Sequence, residues 1–157
     1  MANCQIVGVT EYMRWILLIC LVFASCSILK TDLSDVKEIT WRNFGENTGK
    51  QLITFRSDGT AEKSAERYIP GSAKIVERSR ATVTPEQVRR LAETLAAHGF
   101  FTKEDHPTND LERTITVTTS SSKRELSVLF GDDPDNVAMT RAVHDLENQL
   151  TWEPVQN

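Results

Sequence analysis

The chain has 157 residues, with 18 Lys and Arg against 22 Asp and Glu, so its formal net charge is −4 at neutral pH. This mild acidity gives no support for nucleic-acid binding, which requires a basic face. Hydrophobic residues make up 39% of the chain and charged residues 25%, as in folded globular domains. Composition therefore favours a globular domain that does not bind nucleic acid.

An apolar run near the N-terminus is typical of a secretory signal. Arg14 precedes about ten apolar residues, which end in the small residues Ala24 and Ser25 and then Cys26. A membrane span would need about 20 apolar residues, and Ser25 and Ser27 interrupt this run. A cleaved signal is therefore favoured over a transmembrane helix or a buried core helix.

The residues before this run fit a signal poorly. Residues 1–12 contain Glu11 and neither Lys nor Arg, whereas Met13 is followed at once by a basic residue. Signal peptides begin with a positively charged region. We therefore expect translation to start at Met13.

The tetrapeptide Phe23-Ala24-Ser25-Cys26 resembles the lipobox of bacterial lipoproteins, with Phe23 where that family usually has Leu. The resemblance implies that the Cys26 thiol carries diacylglycerol, that the signal is cut before this residue, and that the new amino terminus is acylated. Ser27 stands where Asp would favour retention in the inner membrane. The implied location is the bacterial cell envelope, at the outer membrane and facing the periplasm, with Cys26 joining the protein to the membrane.

Removing 25 of the 157 residues leaves 132, the size of one domain with a sizeable core. The other two cysteines, Cys4 and Cys20, lie in the removed part, so the mature domain has neither a disulfide nor a Cys-type metal site. The sequence divides into a signal, a lipidated tether, a single domain and a frayed tail, over residues 1–25, 26–36, 37–151 and 152–157.

Alternating apolar and polar residues predict six β-strands. Ile39 and Trp41 are expected to face inward from the first strand, and Ile53 and Phe55 from the second. Asp58-Gly59 follows directly and predicts a two-residue type I′ hairpin turn. The six predicted strands cover residues 38–44, 51–57, 60–69, 73–83, 113–119 and 123–130.

Capping signals predict two helices, one over residues 85–98 and one that Pro134 opens. Thr84 is the expected N-cap of the first helix, and Gln87 completes its capping box. Gly99 is the expected stop, in the left-handed conformation that suits glycine. The residues expected on the buried faces of the two helices are Val88, Leu91, Ala92 and Leu95, and then Met139, Val143, Leu146 and Leu150.

The resulting element order is ββββ-α-ββ-α. Hairpins dominate this order, and no helix-sized crossover separates the first four strands. The sequence therefore predicts an α+β fold, with an antiparallel sheet of about six strands and two helices packed on one face.

Three motifs together resemble two small bacterial domain types. They are Ser57-Asp58-Gly59-Thr60 in a hairpin, Thr84-Pro85-Glu86-Gln87 opening a helix, and His98-Gly99-Phe100-Phe101 at its end. One type is an uncharacterised domain of secreted lipoproteins, and the other is emfourin, an inhibitor of thermolysin-like metalloproteases. The resemblance covers roughly residues 36–150 and consists of turn and capping residues, so no catalytic or inhibitory residue is transferred.

The three histidines have no spacing typical of a metal or catalytic site. His98 is expected at a helix C-terminus, where the dipole favours a partly cationic ring. His106 lies on a polar loop beside carboxylates, as a solvated residue or, less favoured, a ligand. His144 follows the pattern of a solvent-facing residue on the last helix.

Other candidate groups have simpler interpretations. Asp132, Asp133 and Asp135 lack the spacing of an EF-hand calcium loop and are better explained by helix capping. Ser120-Ser121-Ser122 has no nucleophile-elbow context and predicts a turn. Trp41 is expected in the core. Four arginines could meet an anionic surface, although intermixed glutamates favour a solvated face of mixed charge: Arg78, Arg80, Arg89 and Arg90.

These observations favour a lipid-anchored, non-catalytic protein-binding module whose partner is another envelope protein. The alternatives are an emfourin-like metalloprotease inhibitor and, less favoured, a hydrolase with an unrecognised site. No cofactor, metal or catalytic residue is expected. The polar loops over residues 45–49 and 102–111 are the expected recognition surface, because loops on a rigid sheet commonly carry binding residues.

Overall fold

A seven-stranded antiparallel sheet and two α-helices form the part of the chain that the computed structural model describes, residues 33–45, 49–67, 74–105, 113–128 and 133–155. The predicted α+β class is confirmed, with one strand more than expected. A short 3-10 helix, Leu33–Asp35, comes first. The other elements are β1 (Val36–Gly45), β2 (Gly49–Arg56), β3 (Thr60–Arg67), β4 (Ile75–Thr82), α1 (Pro85–Ala97), β5 (Arg113–Thr119), β6 (Lys123–Ser127), α2 (Pro134–Gln149) and β7 (Glu153–Pro154).

The first strand lies inside the sheet, third in the order β6-β5-β1-β2-β3-β4-β7. All neighbouring strands are antiparallel. Ile39 of β1 pairs with Phe55 on one side and Val117 on the other. Because paired residues share a face of the sheet, these three side chains form the middle of the core, and each is at most 1% exposed.

Local capping interactions fix both ends of α1. The Thr84 hydroxyl accepts a hydrogen bond from the Gln87 backbone N–H at 3.2 Å, and the Gln87 side chain accepts one from the Thr84 N–H at 2.9 Å. At the other end Gly99 has φ of +79°, and the Phe100 N–H donates to the Leu95 carbonyl at 3.0 Å. The predicted capping box and glycine stop are both confirmed.

Both helices pack on the same face of the sheet. All four predicted residues of α1 are buried, as are Met139, Val143 and Leu146 of α2. Leu150 is only partly buried, and Glu147 is buried instead. In the described part of the chain no helix covers the opposite face of the sheet, which we call the open face.

The domain extends further at both ends than the sequence indicated. Val36 is 5% exposed and Leu33 packs against the core, so the last part of the predicted tether belongs to the fold. Trp152 also packs against the core, and β7 pairs with the outer edge of β4. The tail that was expected to fray is therefore ordered as far as Val155, whose N–H donates to the Arg78 carbonyl at 2.9 Å.

The hairpin between β2 and β3 is confirmed, but the predicted type I′ turn is wrong. Three residues, Ser57-Asp58-Gly59, separate the strands, and among the described residues positive φ occurs only at glycines. Gly59 has φ of +100°, and its N–H donates to the Arg56 carbonyl at 3.2 Å. The Asp58 carboxylate accepts from the Thr60 N–H at 2.9 Å, which fits a three-residue loop ending in a glycine bulge.

The predicted loop over residues 45–49 is shorter than expected, since Gly45 and Gly49 pair with each other at the ends of β1 and β2. Gly49 has φ of +72°. A Cβ atom added there would lie 1.7 Å from the carbonyl oxygen of Glu66 in β3. Only glycine permits this approach of two backbones. Residues 46–48 lie outside the described part.

We predict that Gly49→Ala destabilises the domain more than Gly59→Ala does. Both replacements strain a positive φ, which costs about 1–3 kcal/mol. At Gly59 the nearest atom to an added Cβ is 3.8 Å away, so strain is the whole effect there. At Gly49 the clash with Glu66 adds to the strain. Urea unfolding of the two variants measures the difference, and equal losses of free energy would contradict the clash.

Candidate functional site

Glu147 is the one carboxylate that is buried among the residues the structure describes, with 8% of its surface exposed. It lies one turn after Val143, on the side of α2 that faces the sheet, because residues four apart share a helix face. One carboxylate oxygen contacts Lys63 Nζ from β3. The other lies 2.9 Å from His144 Nδ1. A buried carboxylate is thus held between two basic groups from different elements.

Two tryptophans complete this arrangement, which we call the Glu147 cluster: Trp41, Lys63, His144, Glu147 and Trp152. The Trp41 ring meets the His144 ring edge-on, with centroids 4.8 Å apart. Trp152 Nε1 donates to the Glu147 backbone carbonyl at 3.0 Å, and Lys63 Nζ lies 5.9 Å from the Trp152 ring centre. The cluster therefore joins β1, β3, α2 and the segment before β7.

The electrostatics of the cluster favour an ionised carboxylate. The hydrogen bond with His144 is the main cause that lowers the pKa of Glu147, and the contact with Lys63 lowers it further. Burial acts in the opposite direction but is outweighed. Glu147 is therefore charged at neutral pH and acts as an acceptor for both partners.

The His144–Glu147 pair resembles the base and the orienting group of a hydrolytic triad, but its nucleophile is missing from the described residues. The His144 ring has one hydrogen-bond partner there, Glu147. A triad needs a serine, cysteine or threonine within hydrogen-bond distance of the imidazole. The geometry instead suits a structural role, since Glu147 ties α2 to β3.

The spacing of residues in the sequence did not predict this cluster. His144 was expected to face solvent, and its side chain is 39% exposed, but its ring also contacts buried Trp41. The position of Trp41 in the core is confirmed, at 1% exposure. A useful signal was present: Lys63 occupies an inward position of β3 between Ala61 and Ala65, where the alternation calls for an apolar residue.

The other described histidine belongs to a link between the two helices. His98 is the C-cap of α1, as expected, and its Nδ1 lies 3.1 Å from Asp135. Lys103 Nζ lies 2.7 Å from Asp133, which caps α2 by accepting from the Asp135 N–H at 2.9 Å. The capping role predicted for Asp133 is thereby confirmed. His106 and Asp132 lie outside the described residues, as does the lipidation candidate Cys26.

The first part of the predicted recognition loop, residues 102–111, is held firmly by its neighbours. Arg124 of β6 donates to the Lys103 carbonyl, and Asp105 accepts from the Ser127 N–H at 2.8 Å. Asp105 thereby satisfies a backbone hydrogen-bond donor on the outer edge of β6. Residues 106–111 lie outside the described part, so the loop's use in recognition stays a prediction.

Two further groups behave as the sequence indicated. Ser120-Ser121-Ser122 forms the turn between β5 and β6, where the Ser120 hydroxyl donates to Asp35 at 2.7 Å. Arg89 and Arg90 lie on the exposed side of α1 and both pair with Glu86, at 2.6 and 3.0 Å. This part of the arginine cluster is thus a solvated face of mixed charge.

The open face carries the other arginines. Registers across the strands place on it residues that alternate with the core, among them Glu38, Thr40, Arg42, Phe44, Lys50, Leu52, Thr54, Arg56, Glu62, Ser64, Glu66, Arg78, Arg80, Thr114, Thr116 and Thr118. Its centre is a row of threonines, of which Thr54, Thr114 and Thr116 are at most 6% exposed. Its β2–β4 part is charged and is the accessible part of this face, since Arg78 and Arg80 are exposed there. Leu52 is 38% exposed on this face.

A ladder of alternating charges crosses the open face. Arg56 binds Glu38 at 2.9 Å and Glu62 at 3.1 Å, and Glu62 also meets Arg80 at 3.4 Å. Arg78 lies two residues before Arg80 in β4, on the same face. It is exposed and has no ion pair among the described residues. The ladder leaves one guanidinium available for a ligand.

The described ranges hold no group of three or more His, Cys, Asp or Glu side chains placed to bind a metal ion. They also hold no helix long and apolar enough to cross a membrane.

No protein-family model matches this chain, and the comparison with curated proteins also finds no match. The features that bear on function are therefore on the two surfaces of the sheet. They are the Glu147 cluster on the helix side and the arginine-bearing open face.

We predict that Glu147→Gln lowers stability at neutral pH by about 1–3 kcal/mol, the range for hydrogen bonds to charged groups. The folded-state pKa of Glu147 is lowered, so the unfolded state binds more protons on acidification. This stabilisation is therefore present above about pH 4.3, the ordinary glutamate pKa, and is lost as pH falls through the folded-state value.

Unfolding free energies of wild type and Glu147→Gln, measured across this pH range, should converge on acidification. The matched control is Asp145→Asn, which removes an exposed carboxylate from the same helix. A difference between wild type and Glu147→Gln that stays constant down to pH 2–3 would contradict the linkage.

Proposed function

We propose that this chain is a lipid-anchored cell-envelope protein whose domain binds another envelope protein without catalysing a reaction. The anchor is Cys26, on the strength of the lipobox resemblance of Phe23-Ala24-Ser25-Cys26. The location that goes with this anchor is the outer membrane, facing the periplasm. An emfourin-like inhibitor would also act by contact, and it rests on resemblance alone.

The observation that carries the binding proposal is the open face. Sheets in α+β domains bury one face against helices, and both helices here lie on the same side. Buried side chains support the other face from beneath, because Ile39, Ile53 and Phe55 lie directly under it at 0% exposure, and this close packing makes its backbone rigid. A rigid surface costs little ordering entropy when a partner binds.

The composition of the open face suits a protein partner. Phe44 is flanked by Arg42 and Lys50, whose charged groups lie 5.8 and 5.1 Å from its ring centre. Aromatic rings and arginines are enriched at protein interfaces. Leu52 adds an exposed aliphatic side chain beside them. Charged groups around a few apolar ones are the usual make-up of a non-obligate interface.

The described parts of the two polar loops offer less recognition surface than the sequence predicts. Gly45 and Gly49 are strand residues, and residues 102–105 are fixed against β6. The open face is therefore a better recognition surface than the described parts of either loop.

Anchoring is tested by Cys26→Ser. We expect this variant to leave the membrane fraction or to accumulate as unprocessed precursor, because serine cannot form the thioether to diacylglycerol. Cys20→Ser is the matched control, since it lies inside the expected signal and should change neither fractionation nor mass. Normal membrane retention and an unchanged mass of Cys26→Ser would overturn the anchor.

Recognition is tested by a charge placed on the open face. We expect Leu52→Glu to remove most of the partner that is crosslinked to the full-length protein in intact cells. Val137→Glu is the matched control, because Val137 is an aliphatic residue of α2 with 48% exposure. Thermal unfolding checks that both variants fold. Equal crosslinking of wild type and Leu52→Glu, or equal losses in both variants, would contradict binding through the open face.

A further inference from the structure

A cavity of about 250 Å³ lies on the open face, between β2, β3, β4 and the residue that follows β7. Leu52 and Val155 give it apolar walls, and Ser64 and Arg78 contribute polar groups. We propose that this cavity binds a carboxylate side chain from an extended acidic segment of the partner protein. This proposal rests on the proposed function, because it names the chemistry that the open face recognises.

The charges around the cavity favour a single carboxylate. Lys63 also lines it, but its Nζ contacts Glu147 on the helix side. The other charged residues that line it are three arginines and one glutamate: Arg56, Arg78, Arg80 and Glu62. Glu62 already forms ion pairs with Arg56 at 3.1 Å and with Arg80 at 3.4 Å. Arg78 is exposed and has no ion pair among the described residues. Its planar guanidinium can bind a carboxylate with two parallel hydrogen bonds.

A phosphate group fits this site less well. A phosphate needs several free donors that converge on it, whereas two of the three arginines are already paired with glutamates. Glu62 also lines the cavity and would repel a second negative charge. The single free guanidinium of Arg78 matches the single charge of an aspartate or glutamate.

Strand register sets the spacing of the ligand. Leu52 pairs with Ser64, and Ser64 pairs with Arg78, so the three lie in one row across β2, β3 and β4. Neighbouring strands are about 4.8 Å apart, which places Leu52 and Arg78 about 10 Å apart. A segment in the extended polyproline II conformation covers that distance in about three residues, and its three residues per turn bring side chains three positions apart to the same side. The expected ligand thus has an apolar residue about three positions from its carboxylate.

The surroundings strengthen the preference for an acidic segment. Arg42 pairs with Leu52 in the sheet, and Lys50 lies on the same face one pleat away. Neither has an ion pair among the described residues, although both lie near the Phe44 ring. The chain carries −4 overall, so this basic patch is a local feature of the open face. Glu66 pairs with Lys50 on this face, so the patch has an excess of basic groups and is not of one sign. Such an excess steers an oppositely charged partner toward it.

The test uses the full-length protein in micelles of a non-ionic detergent and a dye-labelled extended peptide with Leu and Glu three positions apart. Fluorescence anisotropy gives its Kd. We expect Arg78→Glu to weaken binding about tenfold or more, as the loss of a charged hydrogen bond predicts. Arg141→Glu is the matched control, since Arg141 is an exposed arginine of α2 without an ion pair among the described residues. It should change Kd less than about twofold.

Replacing the peptide's Glu by Gln should weaken binding as much as Arg78→Glu does. Equal affinities of the Glu and Gln peptides, or equal effects of Arg78→Glu and Arg141→Glu, would overturn the proposal. So would an Arg78-dependent affinity for inorganic phosphate or for phosphatidylglycerol vesicles without one for the peptide. If Leu52→Glu still abolishes crosslinking in cells in that case, the proposed function stands and only the acidic ligand is overturned.

Discussion

The structure depends on one constraint, which is that β1 lies inside the sheet and buries the middle of one of its faces. Ile39 and Trp41 are at most 1% exposed, and each is paired on both sides with another apolar residue. Burying side chains of this size contributes about 1.5–3 kcal/mol each. Because strand side chains alternate, the same burial sends the remaining residues of β1 to the open face. The inner pattern thus determines what the outer surface can present.

Two segments of the chain protect the edges of this sheet. An open antiparallel sheet has two edges with unpaired backbone groups, which invite pairing with other chains. On one edge Asp105 accepts from the Ser127 N–H of β6. On the other, β7 pairs with Ser79 and Arg80 of β4. These contacts protect both edges, and those of β7 hold residues 152–155 against the sheet. The β2–β4 part of the open face remains accessible, since Leu52, Arg78 and Arg80 are exposed there.

The sequence predicted the elements whose signals are local. Helix α1 was predicted to within one residue, because Thr84 and Gly99 act through neighbours along the chain. The turn after β2 was assigned to the wrong type because Asp58 can bond to its own backbone without a positive φ. Glu147 was missed for a different reason. Its partner Lys63 is 84 positions away, and a pattern of apolar residues does not reveal a buried ion pair.

The two faces of the sheet divide stability from recognition. On the helix side, Lys63 and His144 pair with the Glu147 carboxylate, whose charge would otherwise be costly to bury. Replacing either partner is therefore expected to destabilise the fold. On the open face the ladder through Arg56 and Glu62 is partly exposed, and exposed ion pairs contribute little to stability. Residues such as Arg78 can therefore change without loss of the fold. A surface with that freedom is where a binding specificity can be built on this domain.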